Sequence, residues 1–65
     1  MIRVAAIDDH PLILKVITDQ INQADGMNIV GTASHGSKLN ALVRETSPDV
    51  VILDLGMSTG IFDPV

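Results

Sequence analysis

Three short apolar runs alternate along this chain with two stretches of helical spacing. The run Val4-Ala5-Ala6-Ile7 ends in Asp8-Asp9, which predicts a first strand over Ile2–Ile7 with two carboxylates at its carboxyl end. His10-Pro11 then opens a helix, because proline suits the first helical turn, where its missing N–H would go unpaired anyway. Leu14, Ile17, Ile21 and Ala24 follow at helical spacing, with Ile13 and Val16 widening the stripe. That helix is expected to pack one broad face on a sheet, and Gly26 is placed to end it in a left-handed conformation. Met27–Ala33 reads as a second strand, weakened by Gly31. Ser34-His35-Gly36-Ser37 reads as a loop, with Ser37 as the N-cap of a second helix running to Thr46. The apolar stripe of that helix, Leu39, Leu42 and Val43, is narrower than the first, and Pro48 stops it.

The third run is Val50-Val51-Ile52-Leu53. Consecutive apolar residues, mostly β-branched, read as a strand buried from above and below, as in a parallel α/β sheet. The predicted order is therefore β-α-β-α-β. Asp54 follows the run directly. Ligands of open α/β sheets collect at the carboxyl ends of strands, where a carboxylate is exposed yet backed by a rigid element. Taken alone, Asp54 serves equally well as the start of a turn. Beyond it, Gly56 to Val65 reads as a loop leading towards another helix, and no repeat, low-complexity segment or linker interrupts the chain.

Composition narrows the function classes. With 65 residues the chain is at most one small domain, and its single aromatic, Phe62, makes any core aliphatic. The formal net charge is −4, and Arg3, Lys15, Lys38 and Arg44 are scattered without forming a patch. That argues against direct contact with nucleic acid or an anionic membrane. Cysteine is absent, which removes thiolate metal sites and is compatible with a reducing cytoplasm. No apolar run reaches the roughly 18 residues of a membrane span, and the N-terminus lacks a signal-peptide layout. A cytoplasmic location is expected.

If the first and third strands are neighbours, Asp8, Asp9 and Asp54 converge at one edge of the sheet. Three like charges at close range are tolerated only with protonation or a cation. All-oxygen ligands at an open site favour a hard ion, with Mg²⁺ the natural occupant. A carboxylate beside such an ion can also act as a nucleophile towards phosphorus.

An apolar strand ending in an acidic pair, followed by a second ending in Asp and then x-x-Met, resembles the receiver domain of bacterial two-component response regulators. Ile7-Asp8-Asp9-His10-Pro11-Leu12 and Pro48-Asp49-Val50-Val51-Ile52-Leu53-Asp54-Leu55 particularly resemble the NarL/LuxR class, in which a receiver precedes a helix-turn-helix DNA-binding domain. The resemblance implies a flavodoxin-like (CheY-like) doubly wound parallel sheet with strand order 2-1-3-4-5, truncated here to β-α-β-α-β. It implies that Asp54 accepts a phosphoryl group from a sensor histidine kinase. Asp9 and Asp54 would bind Mg²⁺ directly, Asp8 largely through water, and the backbone carbonyl of Gly56 would complete the protein ligands. Residues 1–65 would form the N-terminal half of a receiver. The Ser or Thr ending the fourth strand, the Lys ending the fifth and the output domain would lie beyond Val65. Ser58 stands where family members usually carry proline, which loosens that loop but spares the ligands.

Other residues weigh less. His10 is placed to touch a ligand of the acidic pair, although a loop histidine is more often solvated. His35 has no acidic or histidine partner at ligand spacing. Met57 reads as a packing plug and Phe62 as the anchor of a following helix. Lys15 and Lys38 sit on helices and do not replace the strand-end lysine. The expected role is signalling, not enzymatic. One alternative is a Mg²⁺-dependent phosphohydrolase with an aspartyl nucleophile. Gly56 argues against it, because it occupies the position of the second acid in the Asp-x-Asp of haloacid-dehalogenase-like enzymes. Another is a self-associating half-domain without competent phosphoryl chemistry, its Val50–Leu53 run forming an exposed edge.

Overall fold

In the computed structural model, whose described residues are 1–54, the apolar runs and helical stripes become an alternating α/β chain. Its elements are β1 (Ile2–Ile7), α1 (Pro11–Gln23), β2 (Met27–Ala33), a 3-10 turn (Gly36–Lys38), α2 (Leu39–Thr46) and β3 (Val50–Leu53). The expectations for Gly56, Met57, Ser58 and Phe62 lie outside the described residues.

The strands are parallel and ordered β2-β1-β3, as the doubly wound fold requires. The chain leaves β1 towards one side of the sheet and then returns across it to the other. Two right-handed crossovers in opposite directions place α1 and α2 on opposite faces. Burial agrees with this. Val4, Ala5, Ala6 and Ile7 are all at most 2% exposed, and successive strand residues face opposite sides, so β1 is covered on both. Ala5 and Ile7 pack with Leu42 of α2, flanked by Ala33, Leu39 and Val51. Full burial of a side chain such as Ile7 stabilises the fold by about 1.5–3 kcal/mol.

The strand buried from above and below is therefore β1, not β3. Among the described residues β3 pairs with β1 alone, and Val50 and Leu53 remain exposed. The stripe of α1 is also narrower than its sequence suggests. Leu14, Ile17, Ile21 and Ala24 are half-buried, whereas Ile13 and Val16 lie on the exposed flank.

Gly31, which weakens β2 on propensity alone, is what lets α2 approach. A Cβ there would lie 2.8 Å from Leu42 Cδ1 and 2.9 Å from Thr46 Cγ2. The β1–β2 register also shifts at this point, pairing Val4 with Ile29 but Ala5 with Gly31, as expected of a glycine inside a strand.

Two helix ends differ from expectation. Ser37 does not cap α2, because the 3-10 turn begins first and encloses it. Lys38 stands at the N-cap without a side-chain hydrogen bond. Gly26 does adopt a left-handed φ of 85°, but α1 has already ended at Gln23 with an extended Ala24 as its C-cap. The glycine instead turns the chain into β2, and its carbonyl accepts the Ile2 N–H at 2.6 Å.

At the opposite end of the sheet from the acids, Arg3 ties the α2–β3 junction to β1. Its guanidinium donates to the Thr46 carbonyl and, at 3.3 Å, to that of Ser47. Its backbone N–H donates to Asp49 Oδ2 at 2.9 Å, and the Asp49 N–H returns a bond to the Arg3 carbonyl at 2.8 Å.

Candidate functional site

The backbone ladders deliver the three carboxylates to one place. β1 and β3 run in register from Val4–Val50 to Ile7–Leu53, so Asp8 and Asp54 emerge side by side. The Asp54 N–H donates to the Ile7 carbonyl at 3.2 Å, and the Asp8 N–H donates to the Ala33 carbonyl at 3.1 Å. Both acids are thus anchored by strand hydrogen bonds up to the residue that carries the carboxylate. Asp8, Asp9, His10 and Asp54 each offer one ligand atom, and these atoms all lie within 4.8 Å of one another. Asp8, Asp9 and Asp54, the described acids expected at the site, are brought together.

Their environments differ. Asp8 is 4% exposed, whereas Asp9 is half-buried and His10 exposed. Oδ1 of Asp8 accepts the His10 backbone N–H at 2.9 Å and, with the ring protonated on Nδ1, a second bond at 2.9 Å. Burial pushes the Asp8 carboxyl up. The ring bond, the backbone bond and the charge of His10 outweigh it, with a smaller hydrogen-bonding contribution from Asp54, and hold the group below the ordinary carboxylate range. The same contacts raise His10 above the ordinary imidazole value, chiefly through its bond to Asp8 and the nearby charge of Asp9.

His10 Nδ1 also lies 2.8 Å from Asp9 Oδ1. One N–H cannot satisfy both oxygens, and Asp9 Oδ1 is buried without a hydrogen-bond partner. A buried carboxylate oxygen left in this way, facing two further carboxylates, fits a hard divalent cation. Beside the cluster a groove sets Ile7, Ile13, Ile17 and Ile52 against Asp8, His10 and Asp54, giving the site one apolar wall.

The bond from the His10 ring to Asp8 was not read from the sequence, although the side chain is 63% exposed, as expected of a loop histidine. The signal was the position of His10: the residue that opens a helix after a strand-end acid can turn both its N–H and its ring back onto that acid. His35 is exposed on the loop after β2 and lies outside the cluster. Lys15 faces solvent in a loose pair with Asp19 at 3.5 Å. Among the described residues no helix is long and apolar enough to cross a membrane.

Several known proteins are similar to this chain in sequence. The response regulator GacA of Pseudomonas viridiflava is 42% identical over 57 residues, covering 88% of this chain and 27% of that protein. The nitrate/nitrite response regulator protein homolog of Haemophilus influenzae is 39% identical over 56 residues, covering 86% of this chain and 27% of its own length. Protein-glutamate methylesterase/protein-glutamine glutaminase 1 of Syntrophomonas wolfei is 40% identical over 55 residues, covering 85% of this chain but 16% of that protein. The chain thus spans about a quarter or less of the curated relatives it matches. No solved structure matches it. Residues 4–61 match the response regulator receiver domain, and the chain belongs to the receiver family of two-component signalling.

Proposed function

We propose that this chain is the N-terminal half of a receiver in which Asp54 accepts a phosphoryl group from a sensor histidine kinase. The observation that carries this reading is the convergence of Asp8, Asp9 and Asp54 at the carboxyl ends of two paired parallel strands. Asp9 and Asp54 would hold Mg²⁺ directly, Asp8 largely through water, with the Gly56 carbonyl as the remaining protein ligand. When bound, the ion neutralises charge on the phosphoryl oxygens. An Asp54 carboxylate oxygen attacks phosphorus, the bond to the donor nitrogen breaks, and its electron pair leaves on the donor imidazole. The N–H bond from Asp54 to Ile7 keeps the nucleophile's backbone fixed during this step.

The Asp8-Asp9-His10-Pro11-Leu12 segment and the likeness to GacA and to a nitrate/nitrite regulator support membership of the NarL/LuxR class. In that class the receiver controls a DNA-binding transcriptional output and is not itself an enzyme. A cytoplasmic site of action accords with a kinase partner. Labelling with radioactive acetyl phosphate tests the phosphoacceptor. A polypeptide carrying all five strands should take up phosphate at Asp54, lose uptake on Asp54→Ala, and lose it when the divalent ion is chelated. The 65-residue chain alone should label weakly, because the Ser or Thr and Lys expected at later strand ends are not in it and the site is not preorganised. Undiminished labelling of the Asp54→Ala variant would remove Asp54 from the role.

A second reading concerns this chain in isolation. Val50 and Leu53 on β3 are 48% and 42% exposed, and Ile13 and Val16 on α1 are 44% and 47% exposed. That apolar surface favours self-association through the β3 edge.

A further inference from the structure

We propose that His10 is a built-in occupant of the cation position: its ring N–H fills the space between Asp8 and Asp9, and the ring gives way when an ion binds. This rests on the Mg²⁺ reading above. Nδ1 lies 2.9 Å from Asp8 Oδ1 and 2.8 Å from Asp9 Oδ1, so it occupies the gap between the two oxygens nearest to it. A cation drawn to those oxygens and an N–H directed at them claim the same volume. Mg²⁺ takes oxygen ligands and keeps several waters, while imidazole suits later transition ions. The ring is therefore displaced by Mg²⁺ instead of joining its ligands.

The local structure permits that displacement at little expense. The His10 side chain is 63% exposed, so it has solvent to swing into. It makes no side-chain bond that caps α1, so the helix does not depend on the ring. The backbone N–H of His10 still donates to Asp8 Oδ1 after the ring departs, so Asp8 keeps its orientation. Asp9 Oδ1, which has no hydrogen-bond partner, would be satisfied as a ligand of the ion instead. His10 is thus a positioning residue that keeps the acids together without metal and competes with the metal for them.

Mg²⁺ titration of the 65-residue chain by NMR tests this, comparing wild type, His10→Ala and Asp9→Asn. His10→Ala should bind Mg²⁺ about two- to tenfold more tightly, the equivalent of one net hydrogen bond no longer broken. In the wild type, the ring nitrogen signals of His10 should move with Mg²⁺ saturation while those of His35 stay in place. That measurement stands even if His10→Ala folds poorly. Unchanged or weaker affinity in a folded His10→Ala, or a His10 ring unresponsive to saturating Mg²⁺, overturns the proposal. A Mg²⁺ response that persists in full in Asp9→Asn, or is absent from wild type and His10→Ala alike, overturns the metal reading and this inference with it.

Discussion

His10 bonds a single oxygen of Asp8 twice, through its backbone N–H and its ring Nδ1, each at 2.9 Å. The contact couples two groups whose shifts run in opposite directions. Asp8 is held below its ordinary value of 3.8 despite burial, by the His10 ring and backbone bonds. Its contribution to stability is therefore complete above 3.8 and is lost as pH falls through the lowered folded value. His10 is raised above 6.5 by its bond to Asp8 and the charge of Asp9. Its contribution is complete below 6.5 and is lost as pH rises through the raised folded value. Without metal, the chain should be most stable between 3.8 and 6.5. Urea unfolding across pH checks this, and His10→Ala should flatten the alkaline limb. An alkaline limb identical in both proteins would show that the ring contact contributes nothing.

A second outcome concerns Gly31. An added methyl would meet Leu42 Cδ1 at 2.8 Å and Thr46 Cγ2 at 2.9 Å, so α2 must move away from β2 or the side chains must leave their rotamers. Gly31→Ala should destabilise the fold by about 1–3 kcal/mol, the usual range for overpacking. The Leu42→Ala background should recover part of that loss, because it removes one of the two clashing atoms. Denaturant midpoints of the single and double variants decide it, and strict additivity would exclude the contact as the cause.

These residues mark how far the sequence could be read. The strands themselves were legible because short apolar runs ending in acids specify them. Their order, and with it the meeting of Asp8, Asp9 and Asp54, came from the resemblance to receivers, since right-handed crossovers place the helices only once the strand neighbours are chosen. The role of Gly31 was hidden, since its partners Leu42 and Thr46 come from a helix whose placement no local pattern reveals. Ser37 looked like a cap because the 3-10 turn that encloses it carries no strong signal of its own. Burial of β3 was misjudged for a related reason: an apolar run states what a strand prefers to face, not which neighbours it has.

Arg3 supplies a third outcome, at the far end of the sheet. Its guanidinium bridges the Thr46 and Ser47 carbonyls, and Ser47 holds a left-handed φ of 47°. These are carbonyls at the helix terminus, which lack partners within α2. Arg3→Ala should cost about 0.5–1.5 kcal/mol. Arg3→Lys should recover less than half, because one ammonium does not match the two-pronged geometry of the guanidinium. Hydrogen exchange should show faster exchange of the Asp49 N–H, which donates to the Arg3 carbonyl. Full recovery by lysine would show that charge alone is what the junction needs.

The last outcome concerns the edge of β3. Val50 and Leu53 expose apolar side chains beside backbone that, among the described residues, is paired on the β1 side only. Such an edge is a template for another strand unless a charge interrupts it. Lysine is the appropriate interruption, and its position matters. Val51 packs against the Ala5–Ile7–Leu42 cluster, so a lysine there would damage the core and report nothing about association. Val50 is 48% exposed, so Val50→Lys places charge on the edge while leaving the core intact. Sedimentation of the 65-residue chain should show mass rising with concentration, and Val50→Lys should shift that rise to higher concentration with unchanged circular dichroism. Val16→Lys, on the exposed flank of α1, serves as the comparison. If it disperses the assembly and Val50→Lys does not, the chains meet through the helix, and a monomer at all concentrations removes self-association altogether.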